Sequence, residues 1–395
     1  MSTGTQGVPA PIRRRPRDRK ARIVAVAADR FHRLGFHNVG TEDIAGAVGI
    51  TAGALYRHFR SKQELLAATI IDGLERAAAA VEDAGGLDEA VSGLVARAVE
   101  RRDLGVLWTR ESRHLTDEQR TLMRDRFFVV PQGLTATLRD SRPELTEGDA
   151  TLLVWALLAV LTSPSYHATA VAPERQSDLL HRLSTAVCRA RGLSRTGRGE
   201  SAPADAATGI ASGSRREALL TAATRLFNQH GYHAVSMEDI GAAVGITSAS
   251  VYNHFTSKSD MLVAALTRAA GTLQLGMSHA LAGANTARDA LDDALDSYIR
   301  LALSHNDLIG ALVSEVMNLP DEQRHDIRRL QHDYVAEWVR LLMAERPELT
   351  ETDARFIVHG VLTVINDVSR TRRLRRRPRL AGELHDLALE MLLEA

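Results

Sequence analysis

Residues Gly49–Lys62 read GITAGALYRHFRSK, and residues Gly245–Lys258 read GITSASVYNHFTSK. The second stretch follows the first by 196 residues, and the same shift relates Phe31 to Phe227. In each copy a glycine turn precedes a threonine that can cap a short helix, which is typical of a helix-turn-helix motif. The sequence therefore predicts two such motifs on one chain.

The residues around the first copy predict a bundle of short helices. Asp18 is a candidate N-cap for a first helix, and Gly35 ends that helix. A second helix is predicted to begin at Gly40 or Thr41, and a third to cover residues 52 to about 59. In helix-turn-helix proteins a helix at this third position lies in the major groove of DNA.

Two capping boxes are predicted at the starts of later helices. Ser61 with Glu64 opens a fourth helix, and Ser214 with Glu217 opens the second copy of the whole pattern. Between the copies, residues 191–213 are rich in Gly, Ser, Ala and Thr without apolar periodicity, which predicts a flexible linker.

Composition narrows the class of protein. The chain has 395 residues, more than one ordinary core accommodates, and its formal net charge is zero. Charge is unevenly placed: residues 11–62 hold twelve Arg and Lys against four acids, the footprint of a DNA-facing surface. The single cysteine excludes a disulfide framework, and the longest uncharged apolar run, 152–161, is too short to span a membrane, so we expect a cytoplasmic protein.

The repetition extends beyond the two motifs. LTDEQR at 115–120 returns as LPDEQR at 319–324, and RPELTEGDA at 142–150 returns as RPELTETDA at 346–354. The two members of each pair are 204 residues apart, whereas the two motifs are 196 residues apart. The second copy therefore contains a short insertion. The periodicity between the motifs and the linker is helical throughout. A period this long predicts two complete units joined head to tail rather than a solenoid.

These motifs resemble the TetR family of bacterial transcriptional regulators. The resemblance rests on a first helix ending in F-x-x-x-G, then D-I-A/G, then G-I-T and Y-x-H-F-x-S-K, all present twice, followed by long helical segments. It implies an all-α fold of two tandem units, each a three-helix DNA-binding domain followed by a helical ligand-binding and dimerisation bundle. The expected division is a basic disordered arm at 1–17, a first reader at 18–64, a first bundle at 65–190, a linker at 191–213, a second reader at 214–260 and a second bundle at 261–395.

The resemblance also implies which residues contact double-stranded DNA. Base-reading and phosphate-contacting positions fall on the caps of the second helix, on the third helix and on the lysine that follows it. In the first copy these are Gly40, Thr41, Thr51, Ala52, Gly53, Ala54, Tyr56, Arg57, His58 and Lys62. In the second they are Ser236, Thr247, Ser248, Ala249, Ser250, Tyr252, Asn253, His254 and Lys258. Gly40 departs from the family's usual Ser or Thr.

The two readers are not equivalent. Arg57 suits a bidentate contact with guanine, whereas Ser248, Ser250 and Asn253 suit adenine or mixed base edges. Residues 206–258 carry a net charge of only +1, which predicts weaker binding by the second reader alone and a shallower salt dependence. A second reader that has lost DNA binding is the alternative.

Family members are homodimers that pair their last two helices, here expected at about 147–167 with 176–190 and 351–370 with 382–393. With both sets on one chain, tethering favours an intramolecular pseudo-dimer that recognises an asymmetric operator. A homodimer carrying four readers is the competing arrangement.

The resemblance further implies a small-molecule effector held inside the helical bundles. Polar and aromatic residues within otherwise apolar helices are the candidates to contact it: Trp108, Glu111, His114, Trp155, Glu315, Asn318, Tyr334, Trp338, His359 and Asn366. Seven arginines between 370 and 379 form a basic run that suits either solvent or an anionic partner. The sequence indicates no cofactor and no metal ion.

Other classes of function fit less well. An enzyme is disfavoured because no glycine-rich phosphate loop, metal-ligand cluster or nucleophile–base motif is present. A protein-interaction module that kept the fold but lost operator binding is the remaining alternative. The sequence thus predicts a ligand-responsive regulator, with repression the usual mode in the family.

Overall fold

The computed structural model describes residues 16–191 and 214–395, which we call the first half and the second half. The arm expected at 1–17 and the linker expected at 191–213 fall almost entirely outside the described residues. Within the described residues every regular element is a helix. The all-α expectation is therefore confirmed.

The first half contains helices that run in the order expected of one unit. They are α1 (Pro16–Leu34), α2 (Thr41–Val48), α3 (Ala52–Tyr56), α4 (Lys62–Glu82), α5 (Leu87–Glu100), α6 (Leu104–Thr109), α7 (Asp117–Ser141), α8 (Glu147–Thr162) and α9 (Pro173–Arg189), with 3₁₀ turns at Glu111–His114 and Ser163–Ser165.

The second half repeats this order. Its helices are α10 (Arg215–His230), α11 (Met237–Val244), α12 (Ser248–Tyr252), α13 (Lys258–Gly283), α14 (Ala287–Ser304), α15 (Asn306–Ser314), α16 (Asp321–Glu345), α17 (Glu351–Arg370) and α18 (Leu380–Glu394), with 3₁₀ turns at Tyr232–Ala234, Val316–Asn318 and Leu374–Arg376.

Several predicted boundaries shift. The first helix begins at Pro16, so Asp18 lies inside the helix and is not its cap. Proline fits the first turn of a helix, where its missing N–H is not needed. The third helix ends at Tyr56 rather than near Phe59. Helix α8 ends at Thr162, because Pro164 has no N–H to continue the helical hydrogen bonds, and the chain continues as a 3₁₀ turn.

The two predicted capping boxes are half-formed. Ser61 Oγ accepts a hydrogen bond from the Glu64 N–H, but the Glu64 carboxylate accepts from the Arg60 N–H instead of from Ser61. In the second half the Glu217 N–H donates to Ser214 Oγ, while the Glu217 carboxylate pairs with Arg268 of α13. Serine caps both helices, and the glutamates stabilise neighbouring contacts.

A small apolar core holds the first reader together. Ile23, Phe31, Ile44 and Leu55 are each fully buried, and Phe59 is 2% exposed. This core continues into α6 and α7 of the same half. Phe59 is therefore a core residue, and the reader is anchored to its own bundle.

Helices from the two halves pack directly on each other. Helix α8 lies along α17, and α9 lies against α18, so the buried apolar residues of all four helices belong to one continuous core. Ion pairs across the halves join Arg175 to Asp353 at 2.8 Å and Arg377 to Asp149 at 2.5 Å. The last two helices of each half thus form a four-helix arrangement within one chain.

Residues Glu147–Ser165 are long and apolar enough to cross a membrane by length and composition alone, with a mean hydropathy of 1.3. Two thirds of that window, 67%, is buried inside the structure. Packing against α7, α9 and α17 accounts for this apolar character, because a helix enclosed on several sides is apolar nearly all round.

Candidate nucleic-acid interface and effector cavity

The turn before each recognition helix requires glycine. Gly49 and Gly245 adopt φ values of 77° and 76°, in the left-handed region that side chains with a Cβ disfavour. A Cβ added at either position would meet nothing within 4 Å, so backbone conformation rather than space selects glycine. The Ile50 N–H then bonds to Ala45 O at 3.0 Å and closes the turn.

Threonine caps fix the start of each recognition helix. Thr51 Oγ1 accepts from the Ala54 N–H at 3.2 Å, and Thr247 Oγ1 accepts from the Ser250 N–H at 3.4 Å. Leu55, the buried residue of α3, anchors the helix to the core of the reader. The orphan N–H groups of a helix start are satisfied in this way, and the remaining faces of the helix stay open.

Every residue that the sequence assigned to DNA contact is exposed or half-buried in the structure. Tyr56 and Tyr252 are the clearest cases, 49% and 54% exposed despite their large apolar rings. The Tyr56 hydroxyl lies 3.2 Å from Thr41 Oγ1, which ties α3 to the start of α2. The two tyrosines therefore stand on the outer surface, where a contact with a DNA backbone requires them.

The two readers differ at the cap of their second helix. Ser236 Oγ accepts from the Asp239 N–H and donates to Asp239 Oδ2, so the second reader has a complete cap. In the first reader the Gly40 N–H donates to Asp43 Oδ2 at 2.9 Å, but glycine offers no side-chain acceptor. The hydroxyl that would also reach a phosphate is missing there.

Both lysines that the sequence assigned to phosphate contact are turned toward the protein. Lys258 Nζ donates to Tyr232 O at 2.6 Å and Val235 O at 2.8 Å. Lys62 Nζ lies 4.2 Å from the centroid of the Phe36 ring. Burial lowers the pKa of both amines. Each lysine stabilises the loop between the first two helices of its reader.

Two buried glutamates connect each reader to its bundle. Glu111 Oε2 accepts from the Phe36 N–H at 2.8 Å, and Glu315 Oε2 accepts from the Tyr232 N–H at 3.3 Å. They are 2% and 0% exposed. Both were expected to line an effector cavity. Instead each lies where the loop of a reader meets its bundle, because its carboxylate satisfies a backbone N–H there.

The second glutamate also joins the two halves. Arg113 of the first half donates to Glu315 Oε1 at 2.5 Å, and Asn318 Nδ2 donates to Oε2 at 2.7 Å. Asn318 Oδ1 in turn lies 2.9 Å from His233 Nε2. Asn318 is therefore part of this contact and not of a ligand pocket, which corrects a second sequence assignment.

Three histidines complete the contact between the halves, which we call the cross-half junction (Phe36, His37, Glu111, Arg113, His114, His233, Glu315 and Asn318). His37 and His233, equivalent residues in the two readers, have ring centroids 4.8 Å apart. His114 stacks on Phe36 at 5.0 Å, and burial lowers its pKa to about 3. No metal-holding group of His, Cys, Asp or Glu occurs among the described residues.

A cavity of about 800 Å³ lies between the second bundle and the first half. Of the sequence candidates, Tyr334, His359 and Asn366 line it. Trp338 is fully buried beside the cavity, edge-on to Tyr298, and does not line it. Sequence reasoning missed Tyr298, whose hydroxyl donates to Asn366 Oδ1 at 2.9 Å, and missed the walls that the first half supplies.

The corresponding space in the first half is nearly filled, with about 90 Å³ remaining. Trp108 stacks on Phe127 with ring centroids 3.9 Å apart, and Phe127 lies 5.7 Å from Trp155. The two tryptophans, expected to contact a ligand, instead occupy the space that a ligand would need. Large aromatic side chains fill an enclosed site as readily as they line one.

The basic run is distributed among specific contacts. Arg377 pairs with Asp149 and Glu383, and Arg373 lies 3.5 Å from Glu147. Arg370 pairs with Asp367 and lines the large cavity. Arg370 and Arg377 therefore belong to the cavity and to the contact between the halves, whereas the Arg373 side chain is 75% exposed to solvent.

Comparison with known families agrees with this architecture. A model described as "Bacterial regulatory proteins, tetR family" matches residues 23–69 and again residues 219–265. A model described as "Tetracyclin repressor-like, C-terminal domain" matches residues 284–370. The helix-turn-helix and the helical bundle behind it thus define a DNA-binding regulator. The chain belongs to the tetR family of bacterial regulatory proteins, with the DNA-binding domain present twice, and is a transcription factor rather than an enzyme.

Relatives match one half or less of the chain. The HTH-type transcriptional activator FasR of Mycolicibacterium smegmatis is 27% identical over 156 residues, which cover 40% of this chain and 71% of that protein. The transcriptional repressor KstR2 of Rhodococcus jostii is 43% identical over 60 residues, covering 15% of this chain and 28% of that protein. Among solved structures, a TetR-family regulator from Bordetella parapertussis is 20% identical, covers 45% of this chain and 95% of its own, and has a TM-score of 0.42.

Proposed function

We propose that this protein is a ligand-responsive cytoplasmic repressor that binds an asymmetric operator with two unlike readers, both contributed by one chain. The proposal includes the division into two readers at 18–64 and 214–260 and two bundles at 65–190 and 261–395. It also assigns DNA contact to the exposed residues of α3 and α12 named above.

The observation that carries this proposal is the packing of α8 and α9 on α17 and α18. Homodimeric relatives need two chains to form such a bundle, whereas here the four helices meet within one chain. Two ion pairs and a continuous apolar core support the same arrangement. A tether raises the effective concentration of the two halves to the order of millimolar, which favours the intramolecular pair.

The unlike recognition helices support an asymmetric operator. At the position where α3 ends, the first reader offers Arg57, and the equivalent residue of the second reader is Asn253. Arginine pairs best with guanine and asparagine with adenine, so the half-sites should differ in sequence. Neither side chain is buried.

Selection of bound duplexes from a random DNA pool tests the proposal. We expect a site of two unlike halves, bound by a protein of 43.1 kDa in light scattering. The Tyr56→Ala and Tyr252→Ala double variant should lose binding, because both exposed rings lie on the proposed interface. If folded protein selected no DNA sequence at low ionic strength, a protein-interaction module would be favoured instead. Particles of twice the mass in light scattering would favour a homodimer.

Repression is tested separately in a reporter strain. Placing the selected site between a promoter and its gene should lower expression when the chain is produced. An increase in expression would assign activation.

A further inference from the structure

Three aromatic positions of the first half are replaced in the second half, beside the large cavity. The shift of 204 residues that relates the two bundles places Leu312 opposite Trp108, Gln331 opposite Phe127 and His359 opposite Trp155. In the first half Trp108 stacks on Phe127, Trp155 lies tilted against Phe127, and about 90 Å³ remain. In the second half smaller or more polar side chains stand at these positions, and the cavity, which extends to the first half, measures about 800 Å³, the size of a site for a drug-sized molecule.

The first half supplies part of the wall of this cavity. The segment after the 3₁₀ turn at Ser163–Ser165 places His167 against the second half, where its ring stacks on His359 at 4.5 Å with an interplanar angle of 12°. His32 and Arg110 of the first half also line the cavity. The second bundle alone would leave this side open, so the site is complete only when the halves are paired.

His167 presents an unsatisfied donor at this wall. Its Nδ1 accepts from the Thr169 N–H at 3.3 Å, so in the neutral ring the proton lies on Nε2. That Nε2 atom is buried and has no hydrogen-bond partner among the residues that the structure describes. Burial lowers the pKa of His167, and lowers that of His359 to about 4, so both rings are neutral at physiological pH. Buried donors normally have an acceptor, and a bound molecule can supply it.

Charge in the lining is predominantly positive. Arg328 and Arg355 come from the second half, and Arg355 is 17% exposed with a single partner, Glu351, that is 67% exposed. The one acid in the lining, Asp367, is already paired with Arg370. An anion is favoured near such a set, because guanidinium groups bind carboxylate or phosphate oxygens.

Aliphatic side chains form part of the remaining wall, among them Leu273, Ile309, Leu312, Val313 and Leu362. We propose that each chain holds one effector site, shared by both halves, and that its ligand is a molecule with an aliphatic body and one anionic head group. The head group accepts from His167 Nε2–H and lies near Arg355. This assignment rests on the proposed function and names the ligand class of its effector.

The cavity is connected to the readers through a single turn of chain. Val313, Val316 and Met317 line it, and Glu315 of the cross-half junction lies between them in sequence. A ligand that displaces this turn changes the position of Glu315, and with it the contacts to Arg113 and to the Tyr232 N–H. The same ligand therefore acts on both readers.

Titration calorimetry of the full chain, without DNA, tests the site. The probes are dodecanoate, dodecanol and dodecyltrimethylammonium, which share a chain and differ in the charge of the head group. We expect one dodecanoate per chain, bound at least tenfold more tightly than the alcohol or the cation. Equal affinities for the three, or two molecules per chain, would overturn the proposal. A parallel titration with dodecanoyl-coenzyme A separates two sources of the anion, a free carboxylate and a thioester with phosphates; one-to-one binding of either supports the site.

Exchanges between the halves give matched variants. His359→Trp places the residue of the first half in the second and should weaken dodecanoate binding, because the larger ring narrows the cavity beside His167. Arg355→Met should weaken dodecanoate at least tenfold and leave dodecanol unchanged. The control Arg124→Met removes the first-half equivalent of Arg328 and should leave dodecanoate binding intact. If the His359→Trp variant bound dodecanoate as tightly as the original chain, and its circular dichroism showed a folded protein, the proposed location of the site would be wrong. Because DNA is absent, failure here is distinct from failure to bind an operator.

Discussion

Arg113 of the first half and Glu315 of the second form an ion pair at 2.5 Å, and the glutamate is fully buried. The other oxygen of Glu315 accepts from the Tyr232 N–H of the second reader. One carboxylate thus joins the second bundle, the second reader and the first half. The reverse pair, in which the second half would supply an arginine to Glu111, cannot form because Met317 occupies the position equivalent to Arg113.

Arg113→Met should destabilise the protein. The substitution leaves Glu315 buried without its cation, although three hydrogen bonds to it remain, so we expect a loss of about 1–3 kcal/mol in the free energy of unfolding. Urea denaturation followed by circular dichroism measures it. Arg33→Met, which removes the exposed pair with Asp29, is the control and should change little. Equal effects of the two substitutions would contradict the structural role of the cross-half pair.

Acidification should destabilise the junction through His114. Burial holds the pKa of its folded form near 3, against 6.5 in the unfolded chain, so the unfolded state binds more protons between these values. Its contribution is complete above pH 6.5 and is lost as the pH falls toward 3. From pH 7 to pH 5 this one group should lower the free energy of unfolding by about 1–2 kcal/mol.

His114→Asn, which introduces the residue found at the equivalent position 318, should flatten this dependence. Denaturation curves at pH 5 and pH 7 for both proteins measure the difference. Some dependence remains, because burial also lowers the pKa values of His167 and His359. An identical slope in the variant would show that the junction does not exclude the charged imidazole.

Glycine substitutions should separate backbone conformation from packing. Gly49→Ala forces a side chain into the left-handed region at a place with free space, so we expect a loss of about 1–2 kcal/mol. Gly53→Ala, within α3 and equally unobstructed, should stabilise the chain by up to about 1 kcal/mol. Thermal unfolding of both variants measures these changes. Equal shifts in the same direction would mean that the turn does not require a positive φ.

Changes in the two recognition helices should alter different halves of the operator. Arg57→Ala is expected to relax preference at one base pair of one half-site by about 1–3 kcal/mol, and Asn253→Ala to do the same in the other half-site. Repeating the random-pool selection with each variant measures the loss by position. If both variants relaxed the same half-site, or both half-sites together, the assignment of one reader to each would be wrong.

Local features of the fold followed from the sequence, whereas long-range ones did not. The turn at Gly49 and the cap at Thr51 each depend on a few neighbouring residues, and the structure confirms them. Glu111 and Trp155 resembled ligand contacts because each is a polar or aromatic residue in an apolar helix. Their partners, the Phe36 N–H and the Phe127 ring, are 75 and 28 residues away in the chain, so no local pattern identifies them.

The shared cavity likewise could not be predicted from local sequence patterns. His359 was a candidate from its own helix, but His167 comes from the other half, 192 residues earlier in the chain. The 204-residue shift did contain a usable signal, since it places His359 opposite Trp155 and predicts that the two bundles cannot enclose equal spaces. Residue equivalence between the halves is thus more informative than residue type alone.

The most direct test of the central claim is native mass spectrometry of the chain bound to its selected duplex. Two unlike readers on one molecule predict one chain of 43.1 kDa per duplex, on a site whose halves differ in sequence. Two chains on one duplex, with a palindromic site, would contradict the account.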